Sequence, residues 1–332
     1  MQRLILTVLV AFVAAIVAGP FIIPWLKKMK VSQTINAYGP KSHAEKQGMT
    51  TMGGFIFIAA SLLATLIFAL GKDYRKHFPL FCVVVTLLFA GIGFLDDFIK
   101  ARKARSEGLT PRQKLIPQIV FGIAISIFAY LNPYIGSKLR VPFTDAEWNL
   151  GIFYIPVMTF IIVGVVNSSN LLDGLDGLCA GSGFSIFAAF ALIALSLSLA
   201  GGETDADLYG TSLFCGAFCG ALLGFLRFNT YPATVFMGDI GSFAIGGALV
   251  SVAIVTRLAL LLPIVAFTMM ISSVSDLIQI TYMRRHGGKR ILRMAPLHHH
   301  FELSGIPETR IVTMYDIVTA LFCLIALCGY VA

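Results

Sequence analysis

Apolar stretches of about 20 residues, the length a helix needs to cross a bilayer, recur along the chain at roughly 4–26, 52–71, 78–99, 115–136, 151–170, 178–200, 208–226, 241–256, 258–283 and 311–331. Between them run short polar segments rich in Gly, Asp and basic residues. The pattern specifies an all-α, polytopic integral membrane protein with about ten transmembrane helices. Composition excludes an ordinary soluble domain, because only 13% of residues are charged where roughly 25% is usual. The first run continues from Leu4 to Leu26, longer than the roughly 7 to 15 residues of a signal-peptide core. It reads as an uncleaved span.

An even number of spans puts both termini on one side, and lysine and arginine then set the orientation. One set of loops carries Lys27, Lys28, Lys100, Lys103, Lys114, Arg284 and Arg285 with further basic residues around them, whereas the other carries only a scattering such as Lys72, Lys138 and Arg257. The basic loops should be cytoplasmic and both termini periplasmic or extracellular. No 20 to 50 residue repeat and no low-complexity linker divides the chain. Residues 1–332 read as a single helical domain. The six cysteines sit in or beside apolar segments, without metal or redox spacing, and read as buried small hydrophobes. Gly216 with Gly220, and Gly177 with Gly181, have the spacing at which membrane helices pack closely.

The unusual chemistry falls on the basic side. "DDFIK" places Asp96 and Asp97 beside Lys100. Adjacent carboxylates at a membrane surface repel and need an offsetting charge. A metal-bound diphosphate would satisfy carboxylates and lysines together, since hard oxygens hold Mg²⁺ and cations hold phosphate. A solvated helix end with a surface ion pair is the bland alternative. "NSSNLLDGLDGLCAG" supplies Asn170, Asp173 and Asp176, with Gly174 and Gly177 permitting close backbone approach. "FMGDIGS" adds Asp239 between Gly238 and Gly241, where a helix start can present bare N–H groups to an anion. Phe236 beside it would stack on a flat ring or face lipid.

"APLHHHFE" sets His298, His299 and His300 in a row. A zinc site on one helix prefers i, i+4 spacing, so phosphate contact or orientation of a reacting group fits better. "EKQGMTTMGG" brings Lys46, Thr50 and Thr51 ahead of Gly53 and Gly54, either a helix start with threonine caps or one wall of a pocket.

From about Gln33 to Val312 these motifs, in order, resemble the phospho-N-acetylmuramoyl-pentapeptide transferases, bacterial membrane enzymes within the wider group that joins sugar phosphates to polyprenyl phosphate. "TMGG", "DDFIK", "GLTPRQK", "NSSNLLDGLDGL", "PATVFMGDIGS" and "MAPLHHHFE" carry the likeness, the last being the most discriminating. The resemblance implies ten transmembrane helices, a multi-pass protein of the bacterial inner membrane, and an active-site cleft facing the cytoplasm. It implies Mg²⁺ as cofactor. The implied reaction transfers phospho-N-acetylmuramoyl-pentapeptide from its UDP carrier, UDP-MurNAc-pentapeptide, to undecaprenyl phosphate, giving lipid I and UMP. No nucleic-acid partner is implied, and exposed apolar belts are compatible with a homodimer.

Family roles carry onto matching positions. Asp96, Asp97, Asp239, Lys100, Lys114, His298, His299 and His300 fall in the catalytic motifs, with Asp239 and Asp96 as metal ligands. Lys46, Thr51, Asn170, Asp173, Gly174, Leu175, Asp176 and Phe236 match the substrate-binding positions. The chain departs from the family's pattern in "GMTTMGG", in "RIVTMYDIV" and at Asp276. Two other readings stand beside this one: a relative using UDP-N-acetylglucosamine or another UDP-sugar, and a proton- or ion-coupled transporter, which would spread its carboxylates through the bilayer midplane.

Overall fold

A computed structural model describes residues 1–29, 48–70, 77–103, 108–200 and 205–330. The chain runs through α1 (Gln2–Lys28), α2 (Gly54–Phe68), α3 (His77–Lys103) and α4 (Pro111–Leu131), then a hairpin of β1 (Lys138–Arg140) and β2 (Glu147–Asn149). There follow α5 (Tyr154–Leu172), α6 (Leu178–Leu199), α7 (Asp205–Asn229), α8 (Gly238–Val255), α9 (Leu262–Val265), α10 (Phe267–Arg285), α11 (Leu297–Glu302) and α12 (Glu308–Cys328).

Among the described residues, eight helices are long and apolar enough to cross a membrane, or nine if the α9–α10 pair is one span. All eight fall on stretches marked out by the sequence. The other two stretches behave differently. α2 has 15 residues, about 22 Å at 1.5 Å per residue, short of a hydrocarbon core of about 30 Å. The stretch read as one span over 258–283 is bent by 85° between α9 and α10, at Ala266, whose φ −102 and ψ 28 leave the helical region. The all-α expectation is also modified. Between α4 and α5 the chain forms a two-stranded antiparallel hairpin pairing Leu139 with Trp148, and Arg140 N–H donates to the Arg257 carbonyl at 2.9 Å, tying that hairpin to the end of α8.

α8 is the spine. Every residue from Ile240 to Val255 is buried, and the helix is flanked most extensively by α3 and α5. In hydrocarbon, helices gain from van der Waals contact rather than from escaping water, so small residues mark the closest approaches. Gly93 of α3 lies directly on the Asp239 backbone of α8, leaving no room for a Cβ. Gly216 and Gly220 likewise face Leu4 and Val8 of α1, as their spacing suggested. Gly177 and Gly181 divide the work instead: Gly177 starts α6 at φ +83, and Gly181 faces Asp316 of α12. Outside this core, α1 and α12 present Leu9, Val13, Phe21, Leu321 and Leu324 outward, the surfaces that lipid would cover. Five of the cysteines are buried as expected; Cys328 is exposed, and no disulfide forms among them.

Alternation of direction brings the C-terminal ends of α3, α5 and α7 and the N-terminal ends of α4, α6 and α8 to one end of the bundle. α4 begins on a capping box, with Thr110 and Gln113 satisfying each other's backbone N–H and Pro111 at the first helical position. That cap fixes where Lys114 points.

Candidate functional site

Asp96 and Asp97 occupy successive positions near the end of α3, and adjacent residues on a helix project about 100° apart. Their carboxylates therefore separate. The Asp96 Oδ1 accepts from Leu109 N–H at 2.7 Å, while its Oδ2 lies 2.6 Å from Lys100 Nζ and 3.0 Å from Lys114 Nζ. Asp97 turns toward α8 and accepts from Ile240 N–H at 3.0 Å. It thereby satisfies one of the orphan donors of the α8 first turn and sits at the positive end of that helix.

Asp239 completes the cluster from the first turn of α8. Its Oδ2 is 3.0 Å from Lys100 Nζ and 2.7 Å from Lys114 Nζ. Its Oδ1 accepts from Asn170 Nδ2 at 2.9 Å, and the same amide reaches Ser242 Oγ at 2.9 Å. Asn170 lies in the last turn of α5. Five residues from four helices thus close into one network in which each lysine bridges Asp96 and Asp239. Gly238 makes the arrangement possible. It has φ +76, and a side chain there would strike Asp97 Oδ2, Met52 N and Thr51 Oγ1.

One oxygen of each of Asp96, Asp97 and Asp239 lies within 4.8 Å of the others. Carboxylate oxygens at this mutual distance suit a hard divalent cation. The Asp97 Oδ1, 3.8 Å from Lys100 Nζ, is beyond hydrogen-bond distance of that ammonium. Counted as ionised, three carboxylates face two ammoniums, Lys100 and Lys114. The donor set and its residual negative charge fit a hard divalent cation.

The second part of the site is the turn between α5 and α6. Asp173 ends α5 and is half-buried. Burial, reinforced by the negative charges of Asp239, Asp97 and Asp176, holds its carboxyl well above the usual carboxylate range. Gly174 lies against the ring nitrogens of His298 and His299, with His298 Nε2 occupying the space of a Cβ. α11 therefore lays two imidazoles on this turn. His299 is oriented from its other side, its Nδ1 being 3.1 Å from Glu302 Oε2, and the His298 ring lies edge-on to it at 4.4 Å. His300 faces elsewhere: its Nδ1 accepts from Arg293 N–H at 3.1 Å and ties down the chain before α11.

The remaining sequence-derived positions divide. Thr51 is buried beside Gly238. Phe236 is half-buried, and its backbone pairs with this same segment, its N–H donating to the Thr50 carbonyl and its carbonyl accepting from Gly53 N–H. Leu175 is buried in the core, 4% exposed. Asp176 reaches α7–α8 and α12: its Oδ2 accepts from Ala233 N–H at 3.0 Å, and its own N–H donates to Glu308 Oε1 at 2.7 Å. Lys46 lies outside the described residues. Ser242, Leu109 with Gly108, and Glu302 are supporting residues that the motifs did not single out. Glu302 stands three residues after His299 and was readable as an i, i+3 helix pair; Ser242 and Leu109 lie within the "FMGDIGS" and "GLTPRQK" motifs, where spacing alone did not mark them.

Fold and site together define a polytopic membrane protein that gathers three acidic and two cationic side chains at one end of its bundle, the equipment for handling a phosphate group with a divalent cation. Residues 79–257 match the glycosyl transferase family 4 pattern. Over 322 residues, 96% of each chain, the sequence is 44% identical to a phospho-N-acetylmuramoyl-pentapeptide-transferase of Thermoanaerobacter sp. (strain X514). It is 42% identical over 321 residues to that of Clostridioides difficile (strain 630), covering 97% of this chain and 96% of the relative. It is 41% identical over 325 residues to that of Clostridium novyi (strain NT), covering 98% and 96%. The chain belongs to the phospho-N-acetylmuramoyl-pentapeptide-transferase family.

Proposed function

We propose that the chain transfers phospho-N-acetylmuramoyl-pentapeptide from UDP-MurNAc-pentapeptide to undecaprenyl phosphate, producing lipid I and UMP in an early membrane step of peptidoglycan synthesis. The observation that carries this reading is the bridging of Asp96 and Asp239 by both Lys100 and Lys114. A diphosphate donor and a phosphate acceptor repel one another, and a cleft that joins them must supply both cations and metal ligands.

Asp96, Asp97 and Asp239 would hold Mg²⁺, which when bound neutralises charge on the transferring phosphate. With the carboxylates so occupied, Lys100 and Lys114, which otherwise pair with Asp96 and Asp239, would be available to phosphate oxygens. An oxygen of the acceptor phosphate attacks the sugar-bearing phosphorus of the donor, forming the new P–O–P linkage as the bond to UMP breaks. A carboxylate of the α3 pair takes up any proton the acceptor carries. His298 and His299, laid on Gly174, orient the donor from the opposite wall, and Thr51 and Phe236 border its nucleoside side. Direct attack is favoured over a covalent aspartyl intermediate, because each carboxylate already accepts hydrogen bonds or ion pairs that hold it in place. A phosphorylated protein trapped with donor alone would reverse that preference.

The distribution of basic loops supports a multi-pass protein of the bacterial plasma membrane with the site at the cytoplasmic face and both termini outside. Ten spans follow if α2 and the bent α9–α10 pair each count as one. A UMP-release assay in detergent, run with UDP-MurNAc-pentapeptide and with UDP-N-acetylglucosamine, with and without Mg²⁺ and undecaprenyl phosphate, tests the whole reading. UMP formation requiring all three of the muramoyl donor, metal and lipid is expected. Preference for the N-acetylglucosamine donor would move the chain to another substrate.

A further inference from the structure

Arg140 is left without a counter-ion by its own hairpin. In the β1–β2 register it stands opposite Glu147, and Lys138 stands opposite Asn149. Cross-strand neighbours of opposite charge ordinarily pair. Glu147 instead gives Oε1 to the Arg257 guanidinium at 2.6 Å and Oε2 to Lys138 Nζ at 3.3 Å. Among the described residues, Arg140 makes no ion pair with Asp145 or with any other carboxylate. Its side chain is half-buried, and burial, followed by the like charge of Arg257, pulls the guanidinium below its ordinary value. Three cations therefore share one carboxylate.

Arg257 is kept in this group by an unusual backbone. It closes α8 at φ +60, a position where glycine is the ordinary residue, and its carbonyl accepts from Arg140 N–H at 2.9 Å. The depth of the group is fixed by the same helix. α8 starts at the acidic cluster, and its 18 residues cover about 27 Å at 1.5 Å per residue, close to a hydrocarbon thickness of about 30 Å. The hairpin consequently lies in the headgroup layer opposite the acidic site. Tyr134, just before it, and Trp148, within it, are exposed, and these two residue types settle at membrane–water interfaces.

We propose that the hairpin seats the phosphate of an anionic phospholipid from the leaflet remote from the acidic site, with Arg140 as principal donor and Lys138 and Arg257 beside it. A guanidinium fork matches two oxygens of a phosphodiester, and the lipid's net negative charge supplies what Glu147 cannot. A zwitterionic lipid offers the same phosphate but carries its own ammonium, so it should be the poorer occupant. The seat is separate from the metal-binding cluster and belongs to the opposite end of the bundle.

The chain has two tryptophans, so Trp25→Phe in the full-length protein leaves Trp148 as the only indole. In lipid nanodiscs, phosphatidylglycerol brominated on its acyl chains should half-quench Trp148 at about one-fifth the mole fraction needed with brominated phosphatidylcholine, the preference one basic residue confers at a membrane surface. In the same background Arg140→Gln should bring the two lipids to equality, and Arg140→Lys should retain part of the preference. Inorganic phosphate should not displace the lipid, whose acyl chains hold it in the bilayer. Equal quenching by the two lipids in Trp25→Phe overturns the seat, and that reading stands even if Arg140→Gln fails to fold. A preference that survives Arg140→Gln overturns it too. Loss of the preference on adding inorganic phosphate would define a general anion site and overturn the lipid assignment, and quenching by neither lipid would put the hairpin clear of the membrane with the same result.

Discussion

Lys114, in the first turn of α4, places its ammonium 2.7 Å from the carboxylate of Asp239, in the first turn of α8, across 125 positions of sequence. The contact joins two helix starts, one capped by Thr110 and the other with its Ile240 N–H held by Asp97. The N-terminal ends of helices are favourable surroundings for anions, so the pair marks where phosphate charge is best accommodated.

Asp239 receives both lysines and Asn170, and its replacement dismantles the network at its centre. Asp239→Asn keeps the shape and removes the charge. UMP release should fall about a hundred- to a thousand-fold, the range for loss of a preorganised electrostatic group, with thermal stability in detergent little changed. Activity within tenfold of wild type would remove Asp239 from the metal-binding set.

Lys114→Met leaves Asp96 and Asp239 with Lys100 alone. Charge-assisted hydrogen bonds contribute about 1.5–3 kcal/mol, so kcat/KM should drop roughly ten- to a hundredfold. Arginine should not restore it, because a planar guanidinium cannot occupy the position of a compact ammonium between two carboxylates. Full activity in Lys114→Arg would count against bridging as the function of this lysine.

Gly174 yields a steric prediction. A methyl group there would displace His298, which is fully buried. Gly174→Ala should reduce kcat by about tenfold or more, since displacements near 1 Å in a catalytic wall cost up to about a hundredfold. His300→Ala, which loses the link to Arg293 N–H and a ring contact with Phe301, should cost less. Equal losses in the two variants would show that α11 acts as one unit rather than through its first two histidines.

Asp173 gives a pH dependence. Its carboxyl titrates above the usual range because burial and neighbouring negative charges disfavour ionisation. A raised carboxyl destabilises the folded state once pH exceeds the unfolded pKa of about 3.9, and the penalty grows until pH passes the folded value. Asp173→Asn should therefore be more thermostable than wild type at about pH 7, with the difference vanishing near pH 3. The metal-free protein, followed by thermal melts in detergent, reports this directly. A variant no more stable than wild type at neutral pH would mean the carboxyl is neutralised by a partner.

Mg²⁺ should stabilise the folded protein as well as support turnover, because binding to the native state alone adds RT ln(1 + [L]/Kd). Addition of Mg²⁺ is expected to raise the melting temperature of wild type and to leave Asp239→Asn unmoved. A shift of equal size in both proteins would place the ion elsewhere.

Runs of apolar residues determined much of the molecule by themselves: a helix is how such a segment satisfies its backbone within lipid, so eight long spans were legible from Leu4 onward. The motifs also contained residues that converge, since Asp96, Asp97, Lys100, Lys114, Asn170 and Asp239 meet in one cluster. Tertiary structure decided the rest. It broke the stretch over 258–283 into two helices at Ala266, folded the loop around Leu139 and Trp148 into a hairpin, and turned His300 and Asp176 toward backbone partners. It also pressed Gly93 onto the α8 backbone and left Gly91, two residues away, facing open space. Hydropathy is a property of each segment alone, whereas the direction of a side chain and the space in front of it depend on which other helix lies against it, and that is settled only when the bundle closes.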